Sequence, residues 1–450
     1  MKLQVAPTPT DYDHSQPLDV HRWSDFPEVN GFVDRLYELL FLPVADNKRI
    51  AKQHLKVLLL DLYVRWTADP SLLTAIARGH ASYKAKSRYN ELHVSKKILT
   101  VVDALVAGGY LEQKDGFQDR RGGGSSRVSR VWPTPKLNAE FEACQIKPQM
   151  LSNHTDRETV LLKDSDKQLV EYQDTDFTSS LRASLKRCND LLLRTNITHP
   201  KGLHRSSFIY CVFNRGSFDF GGRFYVEWQN IPSKDRGELA FDGVPTVEID
   251  YSGLHPYLIY AELGLKLDSD PYDHSQFSRA QMKSMFLVMI NCADERQALR
   301  AYKDPETNKP VSFSVARPIL EAIKLKHPQI VDAFCSDKGI SLMRKDAEIA
   351  RHVIDAFVLA GKPIIPVHDS FVVQASEIDR LMEQMYLGLR TVLGHSVVRL
   401  TSSALPKVKV KTAAAEYIKA LSRGIRPRLN TQWQTGPGED LKRYPIPVRP

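Results

Sequence analysis

The sequence predicts an α+β fold divided into at least two domains, and three observations lead there. Near the N-terminus two amphipathic helical stretches, "AKQHLKVLLLDLYVRW" and "SKKILTVVDALVAGG", run into a pair of short strands. A polar, proline-containing joint, "IKPQMLSNHTD" at 146–156, follows that unit. Beyond it, β-branched runs such as "VPTVEID" and "GKPIIPVHDSFVV" alternate with longer helical stretches. At 450 residues the chain can bury two or three separate cores.

Composition narrows the class. With 42% hydrophobic and 26% charged residues the chain reads as globular, and no apolar run approaches the ~18 residues of a membrane span. The opening "MKLQVAPTPTDYDHSQPLDV" has no apolar signal core, so a cytoplasmic protein without a membrane partner is expected. Five scattered cysteines, never in CxxC spacing, argue against a disulfide framework and a zinc finger, and for a reducing compartment. The net charge of +9 suits a polyanionic partner or an indifferent basic surface; charge alone does not choose.

In the N-terminal unit the first helix places Leu55, Leu58, Leu59, Leu62 and Tyr63 on one face. The second has Ser95 as N-cap, Ile98, Leu99, Val102 and Leu105 as its buried stripe, and Gly108 and Gly109 at its end. "YLEQKDGFQDRRGGGSSRVSRVWPTPKL" then reads as a strand, a basic tip and a returning strand that alternates Val128 and Val131 with Ser and Arg. Residues 81–136 hold eleven Lys or Arg against five Asp or Glu, so most of the excess charge lies here. The order helix, helix, hairpin over about 50–140 resembles a winged helix-turn-helix domain. The resemblance implies DNA binding, with Lys96, Lys97 and Thr100 at a major groove and Arg120, Arg121, Arg127 and Arg130 as wing contacts. Winged helices also dock proteins, and a solvated hairpin tip is the plainer reading of "DRRGGGSSR".

Asp369 interrupts an apolar strand run, where a lone carboxylate is costly to bury. It is either an acid satisfied in a hairpin turn or a metal ligand. A second acid, Asp250, ends the strand "TVEID" just before the helical "LHPYLIYAEL", placed to hold a cation or to cap that helix. Between them "SRAQMKSMFLVMIN" sets Arg279 and Lys283 one turn apart, facing a polyphosphate or simply solvent.

Taken in order, "DFGGRFY", "IDYSG", "RAQMKSMFLVMIN" and "VHDSF" resemble the DxxGR motif and motifs A, B and C of single-subunit nucleic-acid polymerases. That superfamily includes phage-type and mitochondrial RNA polymerases and family A DNA polymerases, and the resemblance spans about 200–410. It implies that Asp250 and Asp369 are catalytic and hold two Mg²⁺ (or Mn²⁺) ions for phosphoryl transfer. His368 would lie near a primer's 3′ end. Lys283 would act catalytically and, with Arg279, hold the incoming triphosphate, beside Tyr251, His255 and Asn291. Arg223, with Gly222 and Asp219, would contact the template or nascent hybrid. The chain departs from the family where Asn291 and Cys292 replace a tyrosine and glycine, and His255 replaces a sugar-excluding glutamate.

The layout expected is a winged helix at 1–145, a linker and helical thumb-like segment at 146–200, palm and fingers at 201–421, and an extended or disordered tail at 422–450. The fingers would occupy about 276–345. The function expected is a DNA-templated nucleotidyltransferase, RNA polymerase or primase-like, serving replication or transcription of a plasmid, phage or integrated element. Its partners would be a DNA template, nucleoside triphosphates and nascent RNA. The alternatives are a DNA polymerase of the same superfamily, a non-catalytic replication initiator or repressor on a degenerate polymerase fold, and a metal-dependent nuclease.

Overall fold

The structure, a computed structural model, describes residues 12–40, 48–79, 83–117, 127–146, 150–153, 157–201, 205–267, 269–393 and 407–410. Arg120, Arg121 and the tail expected at 422–450 lie outside these. The fold is mixed α+β, with several helices and small sheets. The chain divides into two units, one ending at Glu158 and the other beginning at Thr159.

The first unit holds β1 (Ser15–Pro17), β2 (Arg22–Trp23), α1 (Pro27–Leu40), α2 (Lys48–Ala68), β3 (Leu73–Ile76), α3 (Ile98–Ala107), β4 (Leu111–Lys114), β5 (Ser129–Pro133), α4 (Pro135–Ala143) and β6 (Ser152–Asn153). Its main sheet runs β1-β3-β5-β4, with β1 and β3 parallel and the rest antiparallel. The five expected apolar residues of α2 and the four of α3 are all buried in one core, because both helices repeat their apolar residues every three to four positions. Val128 was expected to alternate inward with Val131 but precedes the strand and is 44% exposed.

α3 begins at Ile98, not at a Ser95 cap. Ser95 and Lys96 instead close a tight turn, their carbonyls accepting from the Ile98 and Leu99 amides at 2.9 and 3.0 Å. The Ser95 amide donates to Nε2 of the buried His54 at 3.2 Å. Burial pushes the His54 pKa from 6.5 down to about 4. The folded state therefore disfavours the protonated ring. The stabilising effect is complete above pH 6.5 and is lost as pH falls toward 4. We expect α2 and α3 to lose about 2 kcal/mol of protection between pH 7 and pH 5, read by amide exchange in the full chain. His54→Gln, which keeps an acceptor, should remove that dependence; an unchanged slope would contradict it.

The second unit holds β7 (Val160–Leu162), α5 (Asp176–Arg194), β8 (Ile197–Thr198), β9 (Tyr210–Asn214), β10 (Ser217–Tyr225), α6 (Ser233–Arg236), β11 (Ala240–Phe241) and β12 (Val244–Ser252). α7 (Leu254–Glu262), α8 (Arg279–Asn291), α9 (Glu295–Ala301), α10 (Phe313–Lys326), α11 (Gly339–Leu359), β13 (Ile364–Val367), β14 (Ser370–Gln374), α12 (Ile378–Leu393) and β15 (Lys407–Val410) follow. One sheet is ordered β10-β9-β7. The other runs β13-β14-β12-β11-β8, with β15 also pairing β12. α11 packs across β10 and against α5 and α12, while α8, α9 and α10 cluster beside it. The segment 146–200, expected as a linker and thumb, is divided between the units. α5, opened by a reciprocal Thr175–Thr178 capping box, lays Leu181, Leu185, Cys188 and Leu192 into the second core. All five cysteines are free. Among the described residues no helix is long and apolar enough to cross a membrane.

Candidate functional site

β12 is the central strand of the larger sheet and alternates its side chains. Val247, Ile249 and Tyr251 take one face; Glu248 and Asp250 take the other. In the antiparallel ladder Asp250 stands opposite Ser370, the first residue of β14. Val367 pairs with Ser370 across the β13–β14 hairpin, so His368 and Asp369 are its two-residue turn. The ladder thus brings the turn that carries Asp369 to the end of β12 that carries Asp250, although 118 residues separate the two acids in sequence. Both acids are partly exposed, while the strand residues behind them are buried. Asp250 does not cap the following helix; Gly253, at φ 77°, takes that position. Two hard oxygen donors at an accessible strand end form a donor set that fits Mg²⁺ or Mn²⁺.

His368 is exposed and holds φ at 58°, a left-handed conformation that favours glycine in a two-residue turn. Its ring stands 6.5 Å from that of Tyr225, and Tyr225 stacks on Tyr210 at 5.7 Å. Crowding by neighbouring groups and the Arg223 guanidinium lower its pKa. We expect His368→Gly to leave the fold intact and to raise stability by up to about 1 kcal/mol in a denaturant titration. A loss of more than about 1 kcal/mol would mean that ring packing outweighs the backbone strain.

Behind the acids lies a buried pair that the motifs did not reveal. Glu248, fully buried, accepts from Arg236 Nε at 3.1 Å and Nη2 at 3.2 Å. Ser370 Oγ lies 2.7 Å from the Glu248 carboxylate and 2.9 Å from the Val367 carbonyl, and its single proton can serve one of them. Ser370 therefore ties the hairpin that carries Asp369 to the strand that carries Asp250.

A second buried assembly joins three elements. β10 bulges at Gly221 and Gly222, at φ 78° and 87°, and a Cβ on Gly222 would come within 2.8 Å of the Phe213 ring. The bulge aims Arg223 at Asp346 of α11, with Nε and Nη2 at 2.9 and 2.8 Å from Oδ2. Arg223 Nη2 also lies 3.4 Å from Nε2 of His255 on α7. Burial favours the neutral acid, but His255 and Arg223 outweigh it and hold the Asp346 carboxyl below the usual range. Asp346 was missed in the sequence. The available signal was an acid set among Leu342, Ile349, Ala350 and Val353 on the buried face of α11.

Arg279 and Lys283 are exposed and one turn apart on α8, whose start is a reciprocal Ser278–Gln281 capping box. The Tyr272 phenol is pushed up, first by burial, with Arg279 opposing and Asp369 adding.

Several expected contacts are placed otherwise. Tyr251, expected at the nucleotide, is buried on the opposite face of β12 and donates to the Met385 carbonyl at 2.6 Å. Asn291, expected there too, donates to the Leu287 carbonyl of its own helix at 2.7 Å. Its side chain fills the space a Cβ on Gly339 would need. Arg130 is 6% exposed and donates to the Val128 carbonyl at 2.6 Å, so it is not a surface contact as it stands. Arg127 pairs with Asp13 at 2.7 Å. Lys96, Lys97 and Thr100 are exposed at the start of α3, and Asp219 is exposed and accepts from Ser217 Oγ at 2.9 Å.

Among the described residues one group of three side chains could hold a metal ion: His199, Asp235 and Glu238. Both ring nitrogens of His199 are already engaged, Nδ1 by the Lys201 amide at 3.1 Å and Nε2 by the Asp235 carbonyl at 3.0 Å. Lys201 Nζ holds the Asp235 carboxylate at 2.5 Å. These bonds satisfy the group without an ion. It sits toward the Thr246 end of β12, away from Asp250. The chain was also compared with known proteins: no family model matches it, and no curated protein matches it.

Proposed function

We propose that the protein is a DNA-templated nucleotidyltransferase, with a compact right-hand polymerase core in the second unit and a winged helix in the first. The observation that carries this reading is the pairing of Asp250 with Ser370, the residue next to Asp369, which brings the strand of one motif to the hairpin of the other. Three further features support it. Arg279 and Lys283 lie one turn apart on the exposed face of α8. The helical cluster α8–α10 intervenes between β12 and α11, as fingers would. In the first unit the order α2, β3, α3, β4, β5, with β3, β5 and β4 in one sheet, suits a winged helix with Lys96, Lys97 and Thr100 at the exposed start of α3.

In this reading Asp250 and Asp369 would hold two Mg²⁺ ions, which would lower the pKa of the attacking 3′-hydroxyl and steady the departing pyrophosphate. The Glu248–Ser370 link keeps the strand of Asp250 and the hairpin of Asp369 in register. Arg279 and Lys283 bind the triphosphate and offset charge as it develops. His368, beside the acids, orients the primer end. His255, held by Asp346 and Arg223, faces the nucleotide as the residue that shapes sugar choice. Ribonucleotides are the favoured substrates, on the DxxGR and HDS residues. The non-catalytic reading is favoured by one observation, the use of Asn291 for packing against Gly339.

Thermal melting with Mg²⁺ or Mn²⁺ plus nucleoside triphosphate tests the site. A rise in Tm with metal and nucleotide that disappears in Asp369→Asn is the expected result. An equal rise in both proteins would remove Asp369 from the metal site.

A further inference from the structure

We propose that Asp270 is a built-in place-holder for the nucleotide's polyphosphate, parking Arg279 until a phosphate displaces it. This rests on the reading of α8 as a triphosphate-gripping helix and deepens it. Asp270 takes Arg279 by Nε at 2.7 Å and by Nη2 at 3.3 Å. The guanidinium also lies over the Tyr272 ring, 5.1 Å from its centre. The contact therefore uses the fork with which an arginine would otherwise grip a phosphate.

The two partners differ in freedom. Asp270 is fixed by its own loop: Oδ1 accepts from the Tyr272 amide at 2.9 Å. The next residue, Pro271, offers its carbonyl to the buried His327 at 2.8 Å. Arg279 has a long side chain, 42% exposed, facing a carboxylate that is 41% exposed. An ion pair so exposed is weak. A polyphosphate carries more charge and matches the same fork, so Arg279 is the group that moves. Asp270 remains, and its carboxylate, no longer neutralised by the arginine, opposes the bound phosphate.

The test uses the full chain and four proteins: wild type, Asp270→Asn, Arg279→Ala and the double variant. Asparagine keeps an oxygen for the Tyr272 amide, so the loop is retained. Calorimetry measures binding of inorganic tripolyphosphate with Mg²⁺, and extension assays give KM and kcat for the nucleotide. We expect Asp270→Asn to bind about two- to fivefold tighter and to lower KM alike, with kcat within about twofold. In the Arg279→Ala background the same change should have no effect beyond removal of one negative charge, less than about 1.5-fold. Unchanged or weaker binding in Asp270→Asn, while Arg279→Ala still weakens binding, would overturn the place-holder and leave the site reading standing. If Arg279→Ala binds as well as wild type, α8 does not grip the triphosphate, and both readings fail.

Discussion

Asp369→Asn is expected to slow template-directed nucleotide incorporation at least about 10³-fold, about 4 kcal/mol of transition-state stabilisation, while leaving the fold intact. The carboxylate stands in the two-residue turn next to Ser370, which pairs with Asp250. Two neighbouring carboxylates repel each other when no cation lies between them. Neutralising one should therefore leave metal-free stability unchanged or slightly raised, a sign opposite to that of most substitutions at a structural acid. Asp250→Asn should behave alike, and the double variant should be little worse than either single one, since the two act as a unit. Incorporation rates and denaturant midpoints on the same preparations check this. A large loss of stability alongside the loss of rate would reassign Asp369 to the hairpin's structure.

The largest expected stability effect lies behind the site. Arg236→Met should cost about 3–5 kcal/mol, because it strands the buried Glu248 carboxylate without its cation. Arg236 also donates Nη1 to the Gln229 and Ile231 carbonyls, at 3.2 and 2.7 Å, and the variant leaves both acceptors without that donor. Ser370 would keep one hydrogen bond to Glu248, which does not replace a charge. The double variant Arg236→Met, Glu248→Leu removes both charges and should recover much of the loss, since a buried ion pair adds little over a well-packed apolar pair. Urea midpoints for the two variants test this. A loss below about 1 kcal/mol in Arg236→Met would show that the pair is not holding β12 to α6.

These two sites differ in how far the sequence revealed them. Asp250 and Asp369 were legible because each breaks an apolar strand run with a charge, a local anomaly visible in one window. The antiparallel pairing of β12 with β14, which puts Asp250 opposite Ser370, is stated by no local pattern. The helix faces of α2 and α3 were legible by period alone. The start of α3 was not, because the Ser95 amide goes to His54, forty-one residues earlier. Tyr251 was misplaced because a strand alternates faces, so the neighbour of a site acid points into the core. Arg130 was misplaced for a related reason: a basic residue near a hairpin tip reads as exposed, yet β5 turns it inward. Asp346, Arg236 and Glu248 were missed because their partners lie far away in sequence, and a buried ion pair leaves only a charge in an apolar face as its trace.

The proposed activity is the making of a phosphodiester bond on a template. The most direct measurement is an extension assay on single-stranded DNA, with and without a primer, using Mg²⁺ or Mn²⁺ and NTPs or dNTPs in separate reactions. We expect a template-dependent product, formed from NTPs and abolished by Asp250→Ala and by Asp369→Ala. Product from dNTPs alone would keep the enzyme and reverse the sugar assignment. No product in any reaction, together with tight duplex binding by the full chain, would contradict the claim and leave a DNA-binding protein on a polymerase-like frame.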